Sequence, residues 1–553
     1  MPQKTVFVKP PLLTLQQAFP SSGLVRTEEK DVARLYQDAL LYSDNPACWE
    51  GLFRLACLVT DRPEESPVYP RIMGLLADTD SGSFEGDAAE QIAKARACFA
   101  LFEFNADRSI LRRLGNWLRY LEIEWNELLG YGKPVFAPAD LMELLVRFYR
   151  ISGMKAVLRL CTRLRTSAFD WTTALHTIQQ TIPLRLEGND PLAEIFLKGK
   201  EDIEYDEKQI LLNHAEMLAD GIRYAHFSGE FSGNGQDLSA GRFAWSFLSR
   251  HHRALCGGTT GNPYLAGTSA SANVDTRVLS AWIEAFACSM ALTDTLWATD
   301  ELVRIVFNGL GACLRAERLP AFQRVNCIHP ETTPAADAGT YARFMRAVAA
   351  IYSHAVGVTE NGVRINYMIP CRVAVMVNGC ETVVTSDGRK VSFRLPSGAS
   401  IQAELFSAST ETAVPLFTQG NESIRMKCSS GRAELIPVPG PVGNGSGISD
   451  WQDKEILTEH AHHQGVACWL HNRLLCLPVR EGEYAWAMEG NPELRGGVPE
   501  ARIRKVNMWK QHGGEPEDIP VLPSCSDETT TATMTAYDRT SMRIALLPRP
   551  YST

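Results

Sequence analysis

The hydrophobic period of this chain changes once, and that single change sets its architecture. From residue 28 to 355 apolar residues recur at spacings of three and four, as in EKDVARLYQDALLY, WEGLFRLACLV, DAAEQIAKARACFALFEF and GRFAWSFLSRHHRAL. That spacing places them on one face of each of roughly a dozen helices, separated by turns rich in Gly, Pro, Asn and Asp. Near residue 360 the period becomes two: TENGVRINYMI, CRVAVMVNG, CETVVTSDG and RKVSFRLPSG alternate apolar and polar residues and run into glycine turns. VACWLHNRLLCLPVR and TATMTAYDRTSMRIALLPRP resume strand character beyond a loop over 437–449, and 507–530 reads as a further loop. Twelve helices of alternating direction close into a double ring with a pocket at one end. The expected fold class is therefore a multidomain α plus β chain. An N-terminal (α/α)6 toroid over 1–357 is followed by a C-terminal β-sandwich region over 358–553, as one sandwich or two.

Length supports the division, because 553 residues exceed what one compact core serves. The net charge of −9 and the lack of a basic run argue against a nucleic-acid partner. No signal-peptide pattern opens the sequence and no continuous apolar run reaches 18 residues, so no membrane partner and a cytoplasmic location are expected. The 14 cysteines include no CxxC or CC pair, and in a reducing compartment they read as buried small hydrophobes rather than metal ligands. A small-molecule substrate is the expected partner, with a homodimer as the assembly left open.

Within this frame YLAGTSASANVDTRVLSAWIEAF (264–286) runs from a small-residue turn into an amphipathic helix, with Asp275 and Arg277 at its mouth. Together with DELVRIVFNGLGA and its Phe307-Asn308 pair, it resembles the β-L-arabinofuranosidase family of glycoside hydrolases (family 127). Typical members there carry a GTS turn entering a helix, then an ERIxFNALPA segment. DNPACWEGLFRLA (44–56) resembles the family's W-E-G helix, ADGIRYAHFSGE (219–230) its HGVN helix, and MTAYDRTSMRIALLPRP its closing strand.

That resemblance implies the toroid-plus-sandwich fold and a zinc-bound cysteine nucleophile beside a glutamate acid/base. The chain departs from the second implication. Arg277 stands where the family has a cysteine, Ala336 and Asp337 where it has a Cys-Cys pair, Pro263 near its acid/base, and Asp220 at its HGVN histidine. A guanidinium repels Zn²⁺ and no thiol is left to attack, so neither a metal nor another cofactor is expected.

The residues left at those positions suggest acid/base chemistry. A buried Asp raised in pKa acts as general acid while another stays ionised, and an Arg grips an oxyanion. Asp275, Asp337 and Arg277 are thus the candidate catalytic groups, with Asp220, His226, Tyr264, Trp49 and Glu50 as candidate substrate contacts. Taken singly, the two aspartates also suit helix capping: Asn273 as the cap with Asp275 in the first turn, and Asp337 ahead of the helix near Thr340.

A sugar hydrolase working without zinc is the first expectation. A lyase, isomerase or cyclase of an apolar biosynthetic intermediate is the second, and a non-catalytic glycan-binding relative the third. His460, His462 and His463 in EHAHHQG read as a polar turn rather than a metal site. SRHHRALCGGTTG reads as a helix end and pocket rim, and GTSASAN lacks the GxSxG context of a serine nucleophile.

Overall fold

The computed structural model describes residues 26 to 547, apart from 130–137, 180–210, 439–450, 457–464, 507–524 and shorter loop stretches. His460, His462 and His463 lie outside the described residues. Six helices form the centre: α1 (Pro46–Val59), α2 (Ala88–Asn105), α3 (Ala139–Ser152), α4 (Ala215–Ser232), α5 (Thr276–Thr293) and α6 (Ala338–His354). Each packs on the next and α6 returns to α1, so they close a ring. Outside it lie further helices, among them Arg108–Ile123 against α2, Lys155–Ser167 against α3 and Gly235–His251 against α4.

Local signals start and stop these helices. Asn45 caps α1 by accepting from Ala47 N at 3.0 Å, with Pro46 supplying the first helical residue. Asp87 caps α2, and Gly153 and Gly233 end α3 and α4 in the left-handed region that glycine enters without penalty. The W-E-G segment owes its glycine to packing: a Cβ on Gly51 would stand 2.7 Å from Cβ of Met345, so only glycine lets α6 approach α1 this closely.

After α6 ends at His354 the chain turns to strands. β1 (Asn273–Asp275) and β2 (Phe322–Arg324), met earlier, form a small antiparallel pair beside α5. Beyond them β3 (Val356–Thr359) and β4 (Gly362–Ile365) join β9 (Thr412–Gln419), β10 (Glu422–Ser429) and β11 (Arg432–Val438) in the order β3-β4-β11-β10-β9. A second antiparallel sheet, β5-β6-β7-β8, spans Pro370–Val377, Cys380–Asp387, Lys390–Arg394 and Ser400–Glu404 in chain order.

The last two sheets explain the most apolar strand sequence. β12 (Trp451–Ile456), β13 (Gly465–Leu470) and β14 (Arg473–Pro478) pair in order. Val466, Cys468, Leu475 and Leu477 face an apolar layer shared with Ala501 and Ile503 of the neighbouring sheet. The alternate residues Ala467, Trp469, Leu474 and Cys476 belong to the core of the helical part. Both faces of β13 and β14 are buried, so these two strands read as nearly unbroken apolar runs rather than clean alternation. Residues 525–530, expected as loop, instead belong to a strand, Cys525–Thr533, paired with Val498–Val506; its polar run of threonines hides the β-branched propensity that suits a strand.

The Phe307-Asn308 pair joins the two parts. It lies in a π-helical turn, Val306–Leu310, where Asn308 Nδ2 donates to Arg304 O at 2.8 Å and Asn308 Oδ1 accepts from the buried Leu474 N at 2.6 Å. The closing segment is strapped on similarly: Asn326 Oδ1 accepts from Ala545 N and Leu546 N at 2.8 and 3.0 Å. Among the described residues no helix is long and apolar enough to cross a membrane.

Candidate functional site

The axis of the ring carries charge. On α4 the residues Glu216, Asp220, Arg223 and Glu230 recur at helical spacing, and on α3 Asp140, Glu143, Arg147 and Arg150 do the same. Side chains spaced this way share one helix face, and here they pair from helix to helix across the ring. At the entrance, where α4, α5 and α6 begin, Arg277 Nε donates to Glu216 Oε1 at 2.8 Å, and Arg343 Nη1 donates to the same oxygen at 2.6 Å and to Asp220 Oδ2 at 2.9 Å.

One layer deeper, Arg223 joins Glu284 (2.8 Å), Glu143 (3.1 Å) and Asp140, while Arg346 joins Glu284 at 3.1 Å and Asp140 at 3.0 Å. Arg96 meets Glu50 at 2.7 Å and Glu143 at 3.1 Å. Removing such charges from water is costly, and only their mutual pairing offsets it.

The candidate catalytic residues sit at the entrance, and two of them cap the starts of helices. Asp275 itself caps α5: its Oδ1 accepts from Arg277 N at 2.7 Å and Val278 N at 3.2 Å. The expected cap, Asn273, is instead held in β1 and accepts from Arg324 Nε at 2.8 Å. The strand pairing of β1 with β2 delays the helix by two residues and transfers the cap to Asp275.

Asp337 caps α6, accepting from Thr340 N at 2.7 Å. Arg277 is half-exposed and pairs with Glu216, not with Asp275. It reaches Asp337's surroundings: a Cβ placed on Gly339 would have Arg277 Nη1 at 3.3 Å and Asp337 Oδ1 at 3.7 Å.

The two carboxyls are driven in opposite directions. Burial raises Asp275 above its ordinary value; the amides of Val278 and Arg277 offset this only in part, and the Glu216 charge adds to the rise. Hydrogen bonds from Thr340 lower Asp337, with Arg277 contributing. Burial would raise Glu216, yet Arg343 and Arg277 outweigh it and hold it ionised.

The candidate substrate contacts divide. Asp220 is inside the cluster, but as the partner of Arg343 and Arg223, with both oxygens engaged. Tyr264 stays half-buried at the entrance, its ring edge-on to His214 at 5.5 Å; His214 caps α4 and burial lowers its pKa. Glu50 lies on the axis between Arg96 and Arg54.

His226 and Trp49 are elsewhere. His226 is fully buried against Gly241 of an outer helix, with its Nδ1 at 2.8 Å from Ile222 O, and Trp49 Nε1 donates to Ser43 O at 2.8 Å. Both were candidates because aromatic and imidazole groups suit a cavity wall; their helix faces turn them to other partners. The segment expected as pocket rim is a buried turn, in which His252 Nδ1 accepts from Gly267 N at 3.1 Å.

Glu216, Arg223, Glu284, Arg343 and Arg346 were not singled out from the sequence. The available signal was a charged stripe at helical spacing on helices whose other faces are apolar, a pattern that ordinarily marks the solvent side.

No protein-family model matches the chain, and no curated protein matches it in sequence. Solved structures do match over nearly its whole length. One described as a glycoside hydrolase superposes with a TM-score of 0.65 at 8% identity, covering 99% of both chains. A GH127 β-arabinofuranosidase gives 0.58 at 11% identity, over 97% of this chain and 94% of its own. The GH127 β-L-arabinofuranosidase of Geobacillus stearothermophilus T6 gives 0.54 at 12%, over 93% and 91%. The chain therefore has the fold of these glycoside hydrolases, with a helix-rich part followed by a sheet region.

Proposed function

We propose that this chain is a glycoside-hydrolase-like enzyme that acts on a small glycoside by carboxylate acid/base chemistry at the ring entrance, without zinc. The observation that carries the reading is the gathering of Asp275 and Asp337 at the starts of α5 and α6 with Arg277, which Glu216 holds and which reaches the surroundings of Asp337; burial raises Asp275 and the Thr340 hydrogen bonds lower Asp337. A carboxyl raised in pKa and a second one lowered suit the acid and base roles of glycosidic cleavage. Asp275 is the proton donor to the leaving oxygen and Asp337 the ionised partner. Arg277, half-exposed with Glu216 fixing its Nε, presents its remaining N–H groups to ligand oxygens.

The zinc-cysteine centre that the family resemblance implies does not fit these side chains. Arg277 brings a positive charge to the ligand position, and Glu216 and Asp220 are already held by guanidinium groups. Cys48, a buried thiol beside the start of α6, is turned to the backbone, donating to Ala338 O at 3.4 Å, and burial pushes it up to about 12. Among the described residues no three His, Cys, Asp or Glu side chains gather as a metal site.

The test is turnover of a panel of nitrophenyl furanosides and pyranosides by the wild-type chain and Asp275→Asn, with metal analysis of the same preparation. Asparagine retains the cap, so the variant should keep its melting temperature while losing on the order of 10²–10⁴ in rate. One tightly held zinc per chain refutes the metal-free reading. Saturable sugar binding without turnover favours a glycan-binding protein. Inertness toward every sugar leaves a lyase, isomerase or cyclase as the reading to pursue.

A further inference from the structure

Four residues of one loop, Gly261, Pro263, Tyr264 and Leu265, tie the start of α4 to the start of α5. On the α4 side Leu265 N donates to Asn213 O at 2.9 Å and Ala215 N to Pro263 O at 3.0 Å, with His214 and Tyr264 bridged backbone to backbone. On the α5 side Gly261 N donates to Asn273 O at 2.8 Å, and Asp275 N to Gly261 O at 3.2 Å. Position 261 needs glycine: its φ is +142°, and a Cβ there would run into Tyr264 O. His214 and Tyr264 are thereby fixed beside the mouth of α5, where Asp275 and Arg277 sit.

The charged groups of this entrance already hold one another, Glu216 and Asp220 through Arg277 and Arg343. The two neutral ring groups are different. Met217 N donates to His214 Nδ1 at 3.4 Å, so the ring hydrogen is on Nε2, at the edge turned away from α4. Neither that N–H nor the Tyr264 hydroxyl has a hydrogen-bond partner among the described residues, and both side chains are partly exposed. Burial lowers His214 below the ordinary imidazole value, with Glu216 and Asp220 opposing the shift and Arg277 and Arg343 reinforcing it; at neutral pH the ring is an uncharged donor. The Glu216 charge acts on His214 and on Asp275 alike, so both stand close to one carboxylate.

We infer that His214 is a specificity-determining residue of the entrance, donating its Nε2–H to one hydroxyl of a sugar ring that lies against Tyr264. The inference rests on the reading of the entrance as a glycoside site. A site built to hydrogen-bond a hydroxyl rejects a ligand that lacks it, because its own polar group is then left unpaired. The Tyr264 hydroxyl donates to or accepts from a neighbouring sugar oxygen, and its ring takes the C–H face of the sugar. His214 thus selects which sugar enters, while Asp275 and Asp337 act on the bond.

The test compares the full wild-type chain with His214→Asn, Tyr264→Phe and Asp275→Asn in two readouts. One is kcat and KM on the nitrophenyl glycosides; the other is calorimetric binding of the corresponding methyl glycosides and their monodeoxy analogues. The asparagine side-chain oxygen replaces Nδ1 as acceptor for Met217 N, so His214→Asn keeps the α4 cap and the melting temperature but has no Nε2–H. It should weaken methyl glycoside binding and raise KM by roughly five- to tenfold, the size of one neutral hydrogen bond. One monodeoxy analogue should bind wild type and His214→Asn equally, which identifies the hydroxyl held; a merely structural defect would weaken every analogue alike. Tyr264→Phe, which touches no cap, keeps the test decisive where His214→Asn fails to fold, and should erase the preference for a neighbouring hydroxyl. Absent turnover in every chain, with glycoside binding still weakened by His214→Asn, defeats the acid/base reading and upholds this one. Turnover lost only in Asp275→Asn, with binding, KM and deoxy preference unchanged in His214→Asn and Tyr264→Phe, overturns this inference and leaves that reading standing. A chain that binds no methyl glycoside overturns it as well.

Discussion

Two buried regions of this molecule are filled in opposite ways. The layer between the last two sheets is apolar throughout, with Val466, Leu475, Leu477, Ala487, Met488 and Ile503 in mutual contact. The axis of the helical ring is equally enclosed, yet Glu50, Arg96, Arg223, Glu284 and Arg343 fill it with ion pairs. Two flat faces pack by interdigitating hydrocarbon at no electrostatic cost. Six helices around a common axis leave a central channel, and long charged side chains reach across it while their stems pack along the walls. The apolar layer thus derives its stability from area removed from water, and the axis from complete pairing. One tolerates small losses gradually, while the other is damaged by the loss of a single partner.

The largest effect should come from the axis. Arg223→Leu leaves Glu284, Glu143, Asp140 and Asp220 short of their shared guanidinium and should cost about 3–5 kcal/mol in urea unfolding. The same axis should govern acid stability. Burial would raise Glu50, but Arg96, Arg54 and Arg346 together hold it at about 2. Folding therefore lowers this carboxyl, so its stabilisation is complete above the ordinary glutamate value of 4.5 and is lost as pH falls toward 2. Asp275 and Glu230, raised by burial, act in the reverse sense: their contribution is complete below the ordinary carboxylate value and lost as pH rises through the raised one. Glu50→Gln should flatten the acid limb of a stability-against-pH curve.

Leu475→Ala, in the apolar layer, should cost about 2–5 kcal/mol by the cavity it leaves, and that loss should be the same at pH 4 and pH 7. A loss that varied with pH would show that the two regions share one energetic origin after all. Asn308→Ala, at the seam between them, should cost about 1–3 kcal/mol, because Leu474 N is left buried without its acceptor. The smallest change is at the entrance. Asp337→Ala should cost about 1 kcal/mol through the lost cap of α6, whereas Asp337→Asn should be nearly neutral in melting temperature, which isolates any effect on turnover as chemical.

The architecture was legible because it depends on periodicity. WEGLFRLACLV and GRFAWSFLSRHHRAL declare helices by their spacing, and CRVAVMVNG declares a strand, with no knowledge of neighbours required. The positions of Asp275 and Asp337 at helix starts were legible for the same local reason, although the choice between Asn273 and Asp275 as cap was not, since it turns on β1 pairing with β2, whose residues lie nearly fifty positions away.

The charged stripes were the opposite case. Glu216, Asp220, Arg223 and Glu230 have the spacing of a solvent-facing row, and nothing within α4 distinguishes water from a ring of five other helices bearing complementary charges. Sequence by itself determined which segments coil and most of those that extend, because those depend on dihedral preference and side-chain period. Only the tertiary structure decided which face of each helix turned inward, which acid was raised and which lowered, and that ion pairs fill the axis, because each of these is set by groups that meet only when the ring closes.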